Sequence, residues 1–269
     1  MKINKIAVLI TSFNRKETTL SCLKQLFNIT NDVDVYLVDD DSPDGTFQSV
    51  KEDYPHVKLF RGNGNLYWNR GLYLAWEKAS EFDYDYYLWL NDDVILYPNV
   101  ISELLDSSHK KPKSLIVGII ESPDKSKIIY GGIDSSGIRI LPSEVMKEVS
   151  LMNGNVVLIP RIVFKKVGNL DKKFHHDLGD IDYGLRSQKL GFKVYSTKII
   201  IGSCQENDIN RFRLKNSNIK ERFQKLYSPT GANPRLLFYF HRRHYGILRA
   251  ILYFFKINFN NILPDKINI

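Results

Sequence analysis

Short apolar stretches alternate with amphipathic stretches through the first 110 residues. Four apolar stretches are predicted to be buried strands because they are shorter than a typical helix: KIAVLIT, VDVYLVDD, HVKLF and YDYYLWL. Between and after them, apolar residues recur at helical spacing, which predicts helices over 15–28, 43–53, 67–79 and 98–108. Strands alternating with helices predict an α/β fold with a mostly parallel central sheet, flanked by helices on both faces.

Beyond residue 110 the pattern is less regular. Residues 114–160 are typical of several short strands separated by Gly and Ser turns, and helices are predicted over 161–167 and 180–190. We therefore expect a smaller region of mixed strands after the parallel part. The segment from Pro234 onward is aromatic and basic, and it is predicted to be helical.

That C-terminal segment has cations at intervals of seven, which would form one slowly drifting stripe on a single helix: Arg235, Arg242, Arg249 and Lys256. Its apolar side would carry Leu237, Phe240, Ile247, Ile251 and Phe254. Such a helix either lies on an anionic membrane surface or packs on the domain with a solvated basic face. Gly246 offers the alternative that the helix is broken there.

Composition narrows the class of protein only in part. The chain has 269 residues, 43% of them hydrophobic, enough for one large or two small domains. A net charge of +8 can attract nucleic acid, anionic membrane or phosphorylated small molecules. Nucleic acid is the weakest of these, because the basic residues cluster in the C-terminal segment without a recognition motif.

Two features bear on the location of the protein. Cys22 and Cys204 provide neither a disulfide framework nor metal-ligand spacing, which favours a reduced, cytoplasmic location. No stretch reaches the ~18 apolar residues of a spanning helix. The apolar run at 6–10 is too short for the core of a signal peptide, so a first strand is predicted there.

Polar clusters follow three of the predicted strands, at Thr11–Asn14, Asp39–Asp41 and Asn91–Asp93. Because ligands bind beyond the carboxyl ends of parallel strands, all three clusters are expected at one ligand-binding edge. Paired carboxylates resist burial unless a cation neutralises them, which favours a site for Mg²⁺ or Mn²⁺ and a diphosphate at Asp92 and Asp93. The alternative is a helix N-terminal pair facing water.

Other acids in these motifs have two interpretations as well. Asp39 can accept hydrogen bonds from a nucleobase N–H or ribose hydroxyls, whereas capping of the next helix suits Asp41 and Asp44 better. Ser42, directly before Pro43, is the predicted N-cap of that helix.

Later in the chain, Asp182 and Arg186 are spaced for an ion pair, which leaves Asp180 as a general base or a helix cap. In GNGNLYWNRGLYLAW we expect Asn65 and Asn69 in a loop over a ligand. Trp68, with Tyr67, could stack on a base or a sugar, and Trp76 is expected in the core.

Five motifs resemble, in order, those of family 2 glycosyltransferases with the GT-A fold: VLITSFNR, LVDDDSPDGT, LNDD, GNVVLIPRIVFKKVGNLDKKF and GDIDYGLR. The resemblance covers roughly residues 5–200, and it is to rhamnosyltransferase-like enzymes of bacterial surface polysaccharides. This sequence departs from the family pattern at Asn91 and Gly179, where acids are usual. The family often has an Arg at the position of Asn69, and in this sequence Arg70 stands one position later. The family also often has a His after the final strand, and the segment IIIGSCQ lacks it.

The resemblance implies roles for particular residues. It implies a donor-binding set of Thr11, Phe13, Asn14, Asp39, Asn69, Arg70 and Asp92. It makes Asp93 the ligand of Mg²⁺ or Mn²⁺, Asp180 the catalytic base, and the Asp182–Arg186 pair its support. It also suggests that the 241–243 segment reaches a diphosphate.

The expected protein is thus an inverting, metal-dependent glycosyltransferase using a UDP- or dTDP-sugar and a saccharide or lipid-linked saccharide acceptor. Residues 1–232 would form the GT-A domain, with a nucleotide-binding half at 1–110 and an acceptor half at 111–232, and 233–269 a basic amphipathic tail. It would be cytoplasmic, with peripheral contact to anionic membrane. The alternatives are a sugar nucleotidyltransferase, which should carry a Gly-rich phosphate loop after strand one, and a non-catalytic nucleotide- or carbohydrate-binding protein.

Overall fold

A computed structural model describes residues 5–206, 214 and 216–263 of the chain. The strands of these residues are β1 (Ile6–Ser12), β2 (Val33–Asp39), β3 (Lys58–Arg61), β4 (Tyr86–Leu90), β5 (Ile95–Leu96), β6 (Leu115–Glu121), β7 (Ile128–Tyr130), β8 (Val156–Pro160) and β9 (Val194–Ser203). The helices are α1 (Lys16–Ile29), α2 (Thr46–Asp53), α3 (Tyr67–Ala79), α4 (Val100–Lys110), α5 (Arg161–Val167), α6 (Gly179–Lys189), α7 (Ile219–Tyr227), α8 (Pro234–Tyr245) and α9 (Ile247–Ile262).

All the described strands join one sheet, in the order β3-β2-β1-β4-β8-β6-β9-β5, with β7 paired to β6. The pairs β3–β2, β2–β1 and β1–β4 are parallel, as predicted for the first half. β8 lies antiparallel between β4 and β6, which makes the second half mixed. The two predicted halves therefore share one sheet, and their assignment to separate roles stays a prediction.

Both faces of the sheet are buried, which explains why its first strand is an unbroken apolar run. Val8 and Ile10 of β1 belong to one core layer, together with Leu23 of α1. Leu9, which points to the other face, belongs to a second layer with Trp76 of α3. The prediction of Trp76 as a core residue is confirmed.

The predicted start of α2 was wrong. The helix begins at Thr46 after Gly45, whose φ of 82° brings the chain in through a left-handed turn. Ser42 does not cap it, because its hydroxyl oxygen accepts from the backbone N–H of Asn14 and the hydroxyl donates to Asp39. Of the two acids expected to cap, Asp44 accepts from the backbone N–H of Thr46 at 3.0 Å, whereas Asp41 instead forms an ion pair.

The C-terminal segment is a helical hairpin. Gly246, with φ of 92°, separates α8 from α9, so the alternative of a broken helix is confirmed. The single stripe of cations was wrong, because the first two lie on α8 and the last two on α9. Within the described ranges, we find no helix with the length and apolar character needed to cross a bilayer.

Candidate active site

The three polar clusters meet at the carboxyl edge of neighbouring strands. Asp39, the last residue of β2, stands in register with Ser12, the last residue of β1. The N–H of Asp40, directly after β2, donates to the carbonyl of Ser12 at 2.9 Å. The hydroxyl of Ser12 lies 2.7 Å from that of Thr19 in α1. Thr19 in turn donates to Asp92 Oδ2, just after β4, at 2.9 Å. A continuous chain of polar contacts therefore joins the ends of β2, β1 and β4, as expected for a ligand-binding edge.

Arg15 bridges the two carboxylates that follow β4. Its Nη1 lies 2.9 Å from Asp93 Oδ2 and 3.2 Å from Asp92 Oδ1. Asp92 is only 4% exposed, so the alternative of a helix-end pair facing water was wrong for it. Burial raises the pKa of Asp92, and the positive charge of Arg15 opposes that rise. Sequence reasoning missed Arg15, whose one signal was its position directly after the β1 cluster.

Asp93 retains an oxygen that suits a cation. Its Oδ1 is buried and has no hydrogen-bond partner among the described residues. In that same part of the chain, no three His, Cys, Asp or Glu side chains are grouped closely enough to hold a metal ion by themselves. Mg²⁺ and similar ions often take one or two carboxylates and complete their shell with phosphate oxygens and water. Asp93 therefore fits a metal that is shared with a diphosphate.

The edge beside β2 is built by two adjacent acids. Asp39 is fully buried and accepts from the backbone N–H of Ser42 at 3.2 Å as well as from its hydroxyl; burial raises the pKa of Asp39. Asp40 fixes the following loop, because its carboxylate accepts from the N–H groups of Gly64, Leu66 and Tyr67 at 2.8–3.0 Å. Sequence reasoning did not assign this role to Asp40.

The other members of the β1 cluster differ in exposure. Phe13 presents its ring to solvent, and Asn14 has a left-handed backbone with its N–H donating to Ser42 Oγ at 2.8 Å. Thr11 lies under α3, where a Cβ on Gly71 would come within 2.0 Å of its hydroxyl. The donor-binding roles of these residues stay predictions.

Asp180, in the first turn of α6, lines a cavity of about 380 Å³. Its Oδ2 accepts from the N–H of Gly154 at 2.9 Å, and its Oδ1 accepts from the N–H of Ile181 at 2.8 Å. It is not the N-cap of α6, a position held by Leu178. Burial raises the pKa of Asp180 to about 6. A carboxylate with such a pKa is suited to take up a proton near neutral pH.

The same cavity reaches the residues after β4. Trp68 and Asn91 both line it, and Trp68 Nε1 donates to Asn91 Oδ1 at 2.7 Å. A Cβ on Gly154 would stand 2.6 Å from the Trp68 ring, so the glycine permits this close approach. Further lining residues come from distant parts of the chain: Arg139, Asn153, His176, Asp177, Leu236 and Leu237. Asp180 thus shares one cavity with the start of the Asn91–Asp93 cluster.

Asn69 and Arg70 do not line this cavity. Asn69 lies in the first turn of α3 and is fully buried, so its predicted loop placement was wrong. Its Nδ2 donates to the carbonyls of Asp171 and Phe174 at 2.8 and 2.9 Å. Arg70 Nε donates to the carbonyl of Lys172 at 2.9 Å. The structure brings both side chains to the 171–174 backbone, and donor binding by them stays a prediction.

Asp182, two residues after Asp180, is the centre of a buried charge network. Arg186 Nε lies 2.8 Å from its Oδ2, which confirms the predicted ion pair. Arg243 Nη1 and His244 Nε2, both from α8, lie 2.8 Å from its Oδ1. Burial acts to raise the pKa of Asp182, but the bonds from His244 and the arginines bring it below its ordinary value. Arg243 thus binds the carboxylates of Asp171 and Asp182, and the expected approach of the 241–243 segment to a diphosphate stays a prediction.

Comparisons with known proteins agree with this geometry. Residues 7–168 match the model of a family described as glycosyl transferase family 2. Two curated relatives, N-acetylglucosaminyl-diphospho-decaprenol L-rhamnosyltransferases of two Mycobacterium tuberculosis strains (CDC 1551 / Oshkosh and ATCC 25618 / H37Rv), are each 28% identical over 60% of this chain. The match spans 62% of each relative, which is less than two thirds of its length.

Solved structures show the fold. The mannosyltransferase PcManGT of Pyrobaculum calidifontis, in complex with GDP-Man and Mn²⁺, has a TM-score of 0.59 and 12% identity, covering 93% of this chain and 69% of its own. TarS 1–349 of S. aureus, in complex with UDP-GlcNAc, has a TM-score of 0.58 and 11% identity, and the match covers 96% of this chain and 72% of TarS 1–349. The similarity confirms the predicted fold, an α/β GT-A arrangement with a mostly parallel sheet flanked by helices.

Proposed function

This chain belongs to glycosyl transferase family 2, and on that basis we propose that it is an inverting glycosyltransferase. It moves a sugar from a UDP- or dTDP-sugar to a hydroxyl of a saccharide or lipid-linked saccharide, in the synthesis of a cell-surface polysaccharide. The curated relatives, which are named for transfer of L-rhamnose to a sugar linked through diphosphate to decaprenol, support a lipid-linked acceptor. They also make a rhamnosyl donor the first one to test.

The observation that carries this proposal is the position of Asp180 in the same cavity as Asn91. In the reaction, Asp180 takes the proton of the acceptor hydroxyl as that oxygen forms a bond to the anomeric carbon. The bond from that carbon to the diphosphate oxygen breaks on the opposite face, so the configuration inverts. Burial holds the pKa of Asp180 at about 6, close to the range in which a general base works best.

The donor lies along the edge formed by β2, β1 and β4. Asp39, Thr11 and Phe13 bind the base and the ribose, with Asn14 beside them, and Asp92 approaches the ribose or the diphosphate. Arg15, between Asp92 and Asp93, supplies positive charge at this edge. Asn69 and Arg70 fix the backbone of residues 171–174, and they belong to the proposed donor-binding set.

Asp93 is the protein ligand for Mg²⁺ or Mn²⁺ in this proposal. Its unpartnered, buried Oδ1 supports that role, as does the Mn²⁺ of the similarly folded mannosyltransferase. When bound, the metal supplies positive charge that stabilises the departing diphosphate. We place the enzyme in the cytoplasm at the inner face of the membrane, where a lipid-linked acceptor is presented.

A donor screen tests the proposal. The purified chain is incubated with Mn²⁺, a lipid-diphosphate-linked N-acetylglucosamine acceptor and a panel of UDP- and dTDP-sugars, including dTDP-rhamnose. Release of nucleoside diphosphate and a product heavier by one sugar are expected for one donor, and neither is expected for Asp180→Asn. Nucleotide binding without transfer or donor hydrolysis would favour a non-catalytic binding protein. Pyrophosphate release from a nucleoside triphosphate would instead favour a nucleotidyltransferase.

A further inference from the structure

The outward face of α9 is apolar and exposed along the whole helix. Leu248, Leu252 and Phe255 are 75%, 71% and 66% exposed. Three further apolar residues of the helix are also exposed: Ile251, Phe259 and Ile262. The spacings among the six residues place all of them on one side of the helix. At ~1.5 Å per residue, this apolar face is about 20 Å long. Exposed apolar surface of this extent marks an interaction site.

The opposite face holds α9 firmly on the domain. Ala250 and Ile257 are buried there. The side chain of Asn258 accepts a hydrogen bond from the hydroxyl of Tyr227 in α7 at 2.8 Å. The rings of His241 and Tyr253 lie 4.1 Å apart between α8 and α9. The helix is therefore fixed by one face while it presents the other.

The charged side chains of α8 and α9 are all cations. Arg249 and Lys256 are exposed and lie, by helical geometry, along one margin of the apolar face, about 80–100° around the axis from Leu248. The sequence from 222 to 263 contains no Asp or Glu. An apolar face bordered by cations is the pattern of helices that lie in the interface of an anionic membrane.

We propose that the outward face of α9 docks onto an anionic lipid bilayer. Leu248, Leu252 and Phe255 enter the boundary between headgroups and acyl chains, and Arg249 and Lys256 contact the anionic headgroups. A second copy of the chain fits this face less well. A two-fold interface would bring the cations of both copies together without an acid from this region to pair with them.

Docking would also orient the cavity. Leu236 and Leu237 of α8 line the cavity, and Arg243 of the same helix binds Asp182 of α6. If α9 lies on the membrane, the α8–α9 hairpin therefore places the cavity-lining residues of α8 close to the lipid. This consequence rests on the proposed function, because it matters only if the acceptor is lipid-linked. The docking itself does not.

Sedimentation of the full chain with lipid vesicles tests the proposal. Binding is expected to vesicles of phosphatidylcholine with phosphatidylglycerol, and it should be much weaker with phosphatidylcholine alone. The double variant Leu252→Ser/Phe255→Ser should lose roughly tenfold or more in the partition coefficient. Arg249→Gln/Lys256→Gln should lower binding to the anionic vesicles only. A matched control, Leu141→Ser/Val145→Ser, removes apolar residues outside α9 that are 58% and 66% exposed, and it should bind as the wild type does.

The proposal is overturned if the Leu252→Ser/Phe255→Ser variant binds anionic vesicles as well as the wild type. It is also overturned if light scattering shows a wild-type dimer that this variant makes monomeric, with no vesicle binding by either. Thermal melts establish that the variants are folded. Transfer to a water-soluble acceptor analogue should be unchanged in all of them. Because vesicle binding needs no substrate, failure of docking and failure of glycosyl transfer are separate results.

Discussion

Asn69 Oδ1 in α3 lies 1.7 Å from the point where a Cβ on Gly179, at the start of α6, would stand. The glycine is required by this close approach, and any side chain at 179 would force Asn69 to move. The family motif that GDIDYGLR resembles has an acid at the position of Gly179. In this protein the buried amide of Asn69 fills that space and ties α3 to the 171–174 backbone. The departure from the family pattern at 179 is thereby linked to the residue at 69.

We expect Gly179→Ala to lower the free energy of unfolding by about 1–3 kcal/mol, as overpacking of a filled core does. The shorter side chain of Asn69→Ser should relieve the clash. The double variant should therefore be more stable than the sum of the two single effects predicts. Urea unfolding of the four proteins measures this coupling. Additive effects would mean that the two residues do not compete for the same space.

The second prediction concerns the pH dependence of transfer. A general base acts in its deprotonated form, and burial raises the pKa of Asp180 to about 6. The kcat/KM of the wild type should therefore rise with pH through about 6 and level off above it. Asp180→Asn should lower kcat by about 10²–10⁴-fold while calorimetry shows unchanged UDP or dTDP binding. Near-normal turnover by the variant would exclude Asp180 as the base.

The third prediction separates metal-dependent from metal-independent nucleotide binding. In the wild type, Mn²⁺ should strengthen binding of the nucleoside diphosphate measured by calorimetry, because Asp93 and the phosphates share the ion. Asp93→Asn should lose about tenfold or more in this affinity and respond little to chelation. Asp106→Asn removes an exposed acid of α4 and serves as the control. Equal Mn²⁺ dependence in Asp93→Asn and the wild type would remove Asp93 from the metal site.

The fourth prediction concerns the ion pair between Arg243 of α8 and Asp182 of α6. Arg243→Met removes a charged hydrogen bond from the fully buried Asp182 and should cost about 1.5–3 kcal/mol of unfolding free energy. Arg242→Met, which removes the exposed neighbouring cation, is the control and should cost little. Thermal and urea unfolding at pH 7 compare the two.

The cost of Arg243→Met should also depend on pH. The pKa of Asp182 is lowered in the folded protein, so its bonds contribute fully above the ordinary Asp pKa of about 3.9. That contribution is lost as the pH falls through the lower folded value. The stability gap between wild type and variant should therefore be widest near neutrality and narrow in acid. A gap independent of pH would show that Arg243 stabilises the protein through packing alone.

The sequence predicted those parts of the fold that local pattern determines. Helices α3 and α5 lie where apolar spacing placed them, at Tyr67–Ala79 and Arg161–Val167. The start of α2 was missed because the hydroxyl oxygen of Ser42 accepts from the distant N–H of Asn14 instead of from an N–H of the helix end. Within the site, Arg15 was missed because its partners lie 77 and 78 residues away. Such contacts form only when the folded sheet brings the ends of β1 and β4 together.

The antiparallel insertion of β8 between β4 and β6 has a consequence for how this chain can be divided into fragments. Tyr86–Leu90 is paired on one side with β1 and on the other with Val156–Pro160. A fragment ending near residue 110 would lack β8, so the backbone amides and carbonyls on one edge of β4 would have no partners. Such an exposed strand edge promotes aggregation. We therefore expect unfolding of the sheet as one cooperative event. A chimera that replaces the second half of the chain would have to keep β8, because this strand joins β4 to β6.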